Sequence, residues 1–281
     1  MFMEVLKYEE IKEIRRKLDN IGVATVTQNR TPIFEPSNKP REGVRTYEGH
    51  YGEYTKLTIE GRLGQTHKSL LETILWKKEL YDYIYAEQIV GDEVIKIKYL
   101  KVLYDREKIR KYLSTTGKYS WQGYEELLKD MMRTIITLEK EGGKRTRSPL
   151  VIDLYDSPTK KTVSSRSPII PKEVSLTTIV FGSVITTLID TEIKFIYDPK
   201  PITSLSSGVS QALARFLITH KKHPQAGYNL RELVKRLGCP AEGTGWRNIK
   251  RALKQDADQL EANGIAISFE KEKLFIINSR Q

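Results

Sequence analysis

Three features of the amino-acid sequence predict an α+β fold: two tandem winged helix-turn-helix domains preceded by an N-terminal helix and an extended arm. First, apolar spacing in the last third runs helix, helix, short turn, helix, β-hairpin. Second, the same order of elements can be read once before it. Third, the two stretches are separated by DPKPITSLSSG, residues 198–208, whose two prolines, four Ser or Thr and one Gly have the composition of a linker. The 281 residues also suit two average domains better than one or three. The expected division is 1–54 for the helix and flexible arm, 55–199 for a first winged-helix domain with a long β-wing, and 200–281 for a second.

Residues 3–19 carry Val5, Leu6, Ile11, Ile14 and Leu18 at the spacing of one helical stripe, with Asn20 and Gly22 where such a helix stops. The stretch 27–53 is rich in Pro, Gly, Asn and charge and reads as an extended or mobile arm. A strand is expected at about 55–60. A helix capped by Thr66 follows over 66–78, apolar at Leu70, Leu71, Ile74, Leu75 and Trp76. EVIKIKYLKVL, 93–103, alternates apolar and basic residues as a strand does. Asp105 caps a short helix, and STTGKYS turns into a long one over about 120–140, with Tyr124, Leu127, Leu128, Met131, Ile135 and Leu138 as its apolar side. Gly142–Gly143 closes it. β-like runs follow: PLVIDLY, then VSLTTIVFGSVITTLI, then EIKFIY, with 149–175 as the wing.

The second half is punctuated more clearly. A helix over 208–221 presents Val209, Leu213, Phe216 and Leu217. Asn229 opens an Asn-x-x-Glu capping signal before Leu230, Leu233, Val234 and Leu237, and Gly238 ends that helix in a left-handed conformation. A third helix over about 245–263 turns Ile249, Leu253, Ala257 and Leu260 inward. IAISF and LFIIN then flank Glu270, Lys271, Glu272 and Lys273, a hairpin with a charged tip.

Composition bounds the function. With 39 % hydrophobic residues the chain is too apolar to be disordered throughout, and no apolar run reaches the ~18 residues of a membrane-spanning helix. The first residues, MFMEVLKYEE, lack a signal-type apolar core. A single cysteine, Cys239, excludes an intramolecular disulfide and a multi-cysteine zinc site, and reads as a small packed side chain. A cytoplasmic, reducing setting is expected. Forty-seven Lys and Arg against 36 Asp and Glu leave a charge of +11. The excess grows along the chain: residues 205–254 hold ten basic side chains against Glu232 and Glu242 alone. Clustered cations of this kind suit a polyanion.

The third helix of the second half locates that partner. Arg247, Lys250, Arg251 and Lys254 recur at i, i+3, i+4 and i+7, one face of a helix, opposite the apolar side and beside Asn248. Arg pairs bidentately with guanine and Asn with adenine in the major groove, while Lys meets phosphate. Lys271 and Lys273 at the hairpin tip extend the surface. In the first half the corresponding face is Tyr119, Gln122, Lys129 and Arg133, with Lys144, Arg145 and Arg147 placed for phosphate contacts just after the helix. The alternative for each charged face is simple solvation. Tyr81, Tyr83, Tyr85, Tyr99, Tyr104 and Tyr112 form an aromatic cluster, read as core and interface in preference to a surface that stacks bases.

LTIEGRLGQTHKSLLETILW, 57–76, with Gly61, Leu63 and Gln65 ahead of its helix, resembles the opening of the first winged-helix domain in TrfA-type plasmid replication initiators. YEELLKDMMRTIITLEKEG resembles that domain's long third helix. Ala212 to Ile277, through YNLRELVKRLG and RNIKRALKQDADQLEANGI, resembles the second domain. The resemblance covers about 55–281 and extends to the iteron-binding initiators. It implies a protein that binds repeated origin sequences in double-stranded DNA with both domains, helps open the duplex, and recruits the host initiator and replicative helicase, with a homodimer among its states.

Two other functions fit the residues less well. A transcriptional repressor would use the same two modules. A magnesium-dependent nuclease would draw on Glu192-Ile193-Lys194, read as strand, with Asp153 or Asp190. His50, His67, His220 and His223 form no His-x-His pair, and no phosphate-cradling Gly-rich loop is present, so a non-enzymatic protein without cofactor or metal is expected.

Overall fold

A computed structural model describes residues 22–277, other than 52, 91–92, 115–116, 118, 157–159, 163–171 and 175. The helix expected over 3–19 lies outside the described residues. The fold is mixed α/β, with ten helices and several antiparallel sheets among the described residues. Apolar side chains gather in two cores, one drawing on residues from Ile33 to Ile189, the other from Ile202 to Leu274.

The stretch 27–53 is not a mobile arm. β1 (Ala24–Thr25) pairs with Lys194–Phe195, and α1 (Val26–Arg30) starts in a capping box made by Thr25 and Gln28. Ile33 and Phe34 enter the first core, and β2 (Val44–Tyr51) pairs with β3 (Tyr54–Glu60). The polar composition suggested an arm because only two residues of the segment are large core apolars. They suffice because the backbone is paired on both sides: Glu35 N–H donates to the Leu63 carbonyl and Gln65 N–H to that of Ser37.

α2 (Gln65–Trp76) begins one residue earlier than expected. Gly64 is its N-cap and His67 Nδ1 accepts from the Gly64 N–H, so Thr66 is not the cap. Its apolar side, Leu70, Leu71, Ile74 and Leu75, is fully buried. β4 (Leu80–Val90) was not anticipated. It forms a long hairpin with β5 (Glu93–Asp105), whose outer half exposes Tyr85, Ile89 and Val94. Asp105 caps α3 (Arg106–Leu113) as read, accepting from the N–H groups of Glu107 and Lys108.

The long helix expected over 120–140 divides. α4 (Trp121–Arg133) ends at Thr134, and β6 (Ile135–Lys140) pairs with β3 and with β7 (Arg145–Pro149). Helical spacing placed Ile135 and Leu138 on the apolar face. The β-branched run Thr134–Thr137 instead extends, with Ile136 and Leu138 turned inward. The hairpin after α4 is therefore 135–149, and the 149–175 wing is not formed as expected. β8 (Val151–Asp156) pairs with β11 (Leu176–Phe181), which also pairs with β5, while β9 (Lys160–Thr162) and β10 (Lys172–Val174) make a separate small hairpin. VSLTTIVFGSVITTLI is half helix: Gly182, whose Cβ would lie 1.9 Å from the Pro149 carbonyl oxygen, turns the chain from β11 into α5 (Ser183–Thr191).

β12 (Lys194–Phe195) leads to the expected linker. It is folded: α6 (Lys200–Thr203) and Leu205 pack Ile202 and Leu205 into the second core. α7 (Gly208–Ile218), β13 (Tyr228–Asn229), α8 (Leu230–Arg236), α9 (Gly243–Gln255), α10 (Ala257–Ala262), β14 (Ile265–Ser268) and β15 (Lys273–Ile276) follow, with sheet order β13-β15-β14. The expected 245–263 helix breaks at Asp256. That residue is 2 % exposed because its carboxylate turns inward to accept from Ser206 N–H and Oγ and from Ser207 N–H. Ala257 is consequently only half-buried.

The polar side of α2 faces the second half. Gln65, Lys68, Ser69 and Glu72 are all buried, against Gln211 and Arg215 of α7. α1 joins the same junction: Arg30 donates to the Thr219 hydroxyl and carbonyl, and Gln28 gives its carbonyl to Lys68 Nζ. No described helix is long and apolar enough to cross a membrane.

Candidate nucleic-acid interface

α8 forms where Asn229 Oδ1 accepts from the Glu232 N–H, 3.1 Å away, and it ends at Gly238 with φ +83°. Cys239 packs in the second core, where burial pushes its thiol up to about 12, as expected of a small packed side chain. α9 then anchors on Trp246, Ile249 and Leu253, all buried. Its opposite side exposes Arg247, Asn248, Arg251 and Lys254. Arg247, Lys250, Arg251, Lys254, Phe269 and Glu270 line an open groove of about 420 Å³ between α9 and the β14–β15 hairpin.

Lys250 stands apart from the other three cations. Its ammonium lies 3.5 Å from the Glu272 carboxylate, which also accepts from Trp246 Nε1 at 3.1 Å and from Arg231 at 3.2 Å. The Arg231 and Trp246 donors hold the Glu272 carboxyl below its usual range. Lys254 sits 5.3 Å over the Phe269 ring. Lys271 is exposed at the tip, whereas Lys273 lies within β15, half-buried, and not on the tip as expected. The Glu272 cluster had no legible signal: in the run EKEK a glutamate reads as solvated.

In the first half, Gln122, Lys129 and Arg133 are exposed on α4, but Glu125, Glu126 and Met132 share that side, and Gln122 Nε2 donates to Glu126. Tyr119 packs against the first core, with its carbonyl taken by Arg110. Arg145 pairs with Glu139 at 2.7 Å and Arg147 with Glu60 at 3.0 Å, all on the β3–β6–β7 sheet; Lys144 takes no ion pair among the described residues. Two of the three cations expected to meet phosphate after the helix are thus neutralised by their own sheet. Arg215, one of the ten cations over 205–254, is 0 % exposed and absent from any surface.

The other sequence candidates separate. Glu192 caps the end of α5, not a strand, and its carboxylate accepts from the Thr27 N–H and hydroxyl. Asp190 pairs with Lys98 at 2.9 Å, and Asp153 accepts from the Leu154 N–H. Among the described residues no group of three or more His, Cys, Asp or Glu could hold a metal ion. His67 is buried between the Gly64 N–H and Asp130, and desolvation lowers its pKa. Tyr104 is buried with its hydroxyl on Tyr124 Oη, and Tyr81 and Tyr83 pack against the first core, so that part of the tyrosine cluster is structural.

No family model and no curated protein matches the chain. Its fold is similar to a crystal structure of domains 2 and 3 of RctB, which covers 88 % of this chain and 96 % of that one at 13 % identity and a TM-score of 0.53. A second crystal structure of RctB domains 2 and 3 covers 82 % and 80 % at 12 % identity and a TM-score of 0.48. The likeness is one of fold.

Proposed function

We propose that the chain is a sequence-specific double-stranded DNA-binding replication initiator. It binds origin repeats of a plasmid through two winged helices, helps open the duplex, and engages the host initiator and replicative helicase. The observation that carries this reading is the exposed face of α9. Arg247, Asn248, Arg251 and Lys254 stand together on a helix anchored from behind by Trp246, Ile249 and Leu253. In the order α7, β13, α8, α9, β14, β15, α9 takes the role of recognition helix and the β14–β15 hairpin that of the wing. A major groove ~12 Å wide admits one such helix, with Arg reaching guanine and Asn adenine. The likeness to the replication initiator domains of RctB supports the same role. α4, whose open side mixes Lys129 and Arg133 with two glutamates, makes the weaker second contact.

The test offers the full chain a pool of random duplexes. An enriched motif supports sequence-specific binding; a pool that never enriches overturns it. The enriched repeats are then joined to the gene for the chain on a plasmid with no other origin. Maintenance supports an initiator, and binding without maintenance reduces the reading to a DNA-binding repressor.

A further inference from the structure

The turn between β14 and β15 holds the only described non-glycine residue with positive φ, Glu272 at +47°. A non-Gly residue seldom adopts this conformation, and Asn accepts it more readily than Glu does. A solvated charge at a hairpin tip would give no reason to place Glu there. The side chain supplies one. From this backbone the carboxylate turns back over the domain and accepts from Arg231 Nε and Nη2 on α8, both at 3.2 Å, and from Trp246 Nε1 on α9 at 3.1 Å. Lys250 Nζ lies 3.5 Å away. The Glu272 carbonyl oxygen accepts from the Leu230 N–H, the first residue of α8, at 2.9 Å. Trp246, 4 % exposed, is flanked by the Arg231 guanidinium at 5.2 Å and the Lys250 ammonium at 5.4 Å from its ring centre. One residue thus ties α8, α9 and the hairpin together at a single point.

We propose that Glu272 is a positioning residue for duplex recognition, fixing the hairpin against α9 so that Lys271 and the Arg247–Arg251 face meet one duplex in register. The inference rests on the DNA-binding reading above and adds a consequence that charge alone opposes. Glu270, exposed on the same turn, lines the groove with Arg247 and Lys254. Removing either acid takes one negative charge from the surface that faces phosphate, which strengthens binding to every duplex. Only the loss of Glu272 also releases the hairpin.

The experiment uses the full chain, a duplex enriched by the wild type from a random pool, and a shuffled duplex of equal length, with affinities measured between 50 and 200 mM salt. The expected result for Glu270→Ala is tighter binding to both duplexes with their ratio preserved. For Glu272→Ala the ratio of selected to shuffled affinity falls about tenfold, although the charge change is identical. Glu272→Gln, which keeps the length and one acceptor oxygen, restores part of the ratio. Trp246→Phe, which removes the indole donor and leaves a smaller ring in its place, lowers it about threefold. A Glu272→Ala ratio within twofold of wild type overturns the inference. Should that variant unfold, Glu272→Gln decides: a ratio equal to wild type, with Trp246→Phe also unchanged, overturns it. A wild type that selects no sequence removes the DNA reading, and this inference with it; selection by wild type with an indifferent Glu272 removes the inference alone.

Discussion

The Arg215 guanidinium grips the Glu72 carboxylate in full burial: Nη2 lies 2.7 Å from Oε2, Nε lies 2.9 Å from both oxygens, and the side chains are 0 % and 1 % exposed. Glu72 belongs to α2 beneath the first core and Arg215 to α7 in the second half. Gln65 and Ser69 take the remaining guanidinium donors, and the Tyr197 hydroxyl donates to Glu72. The two halves thus meet at a buried ion pair and the hydrogen bonds that complete it.

Because a buried carboxylate without its partner is far more costly than the pair, Arg215→Ala should destabilise the protein by ~3–5 kcal/mol. Replacing both residues by Leu should recover most of that loss. Urea denaturation of the single and double variants measures both. A double-variant loss equal to the sum of the Arg215→Leu and Glu72→Leu losses would mean that the pair is not coupled.

Lys68, at the same junction, is fully buried, with its ammonium on the Gln28 carbonyl, and burial lowers its pKa from 10.5 to about 7. The unfolded chain keeps this proton up to its ordinary value while the folded protein releases it near 7. Between the two the unfolded state binds more protons, so stability rises with pH, by up to ~1.4 kcal/mol per unit. Denaturation at pH 7.5 and 8.5 should show this rise, and Lys68→Met should remove it. The window avoids His67, whose lowered pKa acts below it, and Cys239, raised to about 12, which acts above it.

Gly208 opens α7 directly against residue 37: a Cβ there would lie 2.6 Å from the Ser37 carbonyl carbon. Gly208→Ala should therefore destabilise by ~1–3 kcal/mol, since backbone must move to admit the methyl. In a helix start open to solvent the same change would stabilise. A neutral or stabilising result in thermal melting would show that residues 35–38 do not pack there.

On the DNA reading, Arg247→Ala and Arg251→Ala should each weaken binding to the selected duplex by ~1–3 kcal/mol while sparing shuffled sequence more. Anisotropy titrations with both duplexes test this, and equal losses on the two would reassign the arginines to phosphate.

Joint replacement of Lys144, Arg145 and Arg147 by Ala should flatten the salt dependence by ~0.9 in log–log slope, one phosphate contact, and not by the ~2.7 of three free cations. The reason is that Arg145 and Arg147 already hold Glu139 and Glu60. A slope change near the larger value would mean that DNA displaces both carboxylates.

By itself the sequence determined those features in which local chemistry has one solution. Asp105 and Asn229 cap helices because their side chains reach the first free N–H groups. Gly238 ends α8 because a left-handed residue is needed there. The apolar stripe of α9 dictates which residues its other side displays, so the Arg247–Lys254 face was legible. Tertiary structure decided what neighbours decide. Thr134–Thr137 extends, against a helical spacing that fitted equally well, because β3 and β7 offer both its edges partners. The segment 27–53 is ordered by backbone pairing that its polar side chains do not announce. Above all, nothing in the sequence marks the polar sides of α2 and α7 for burial, since charge in a sequence implies water. Glu72 and Arg215 leave water only because each brings the other a complete set of hydrogen bonds, and residues 143 positions apart hold no record of that pairing in their order.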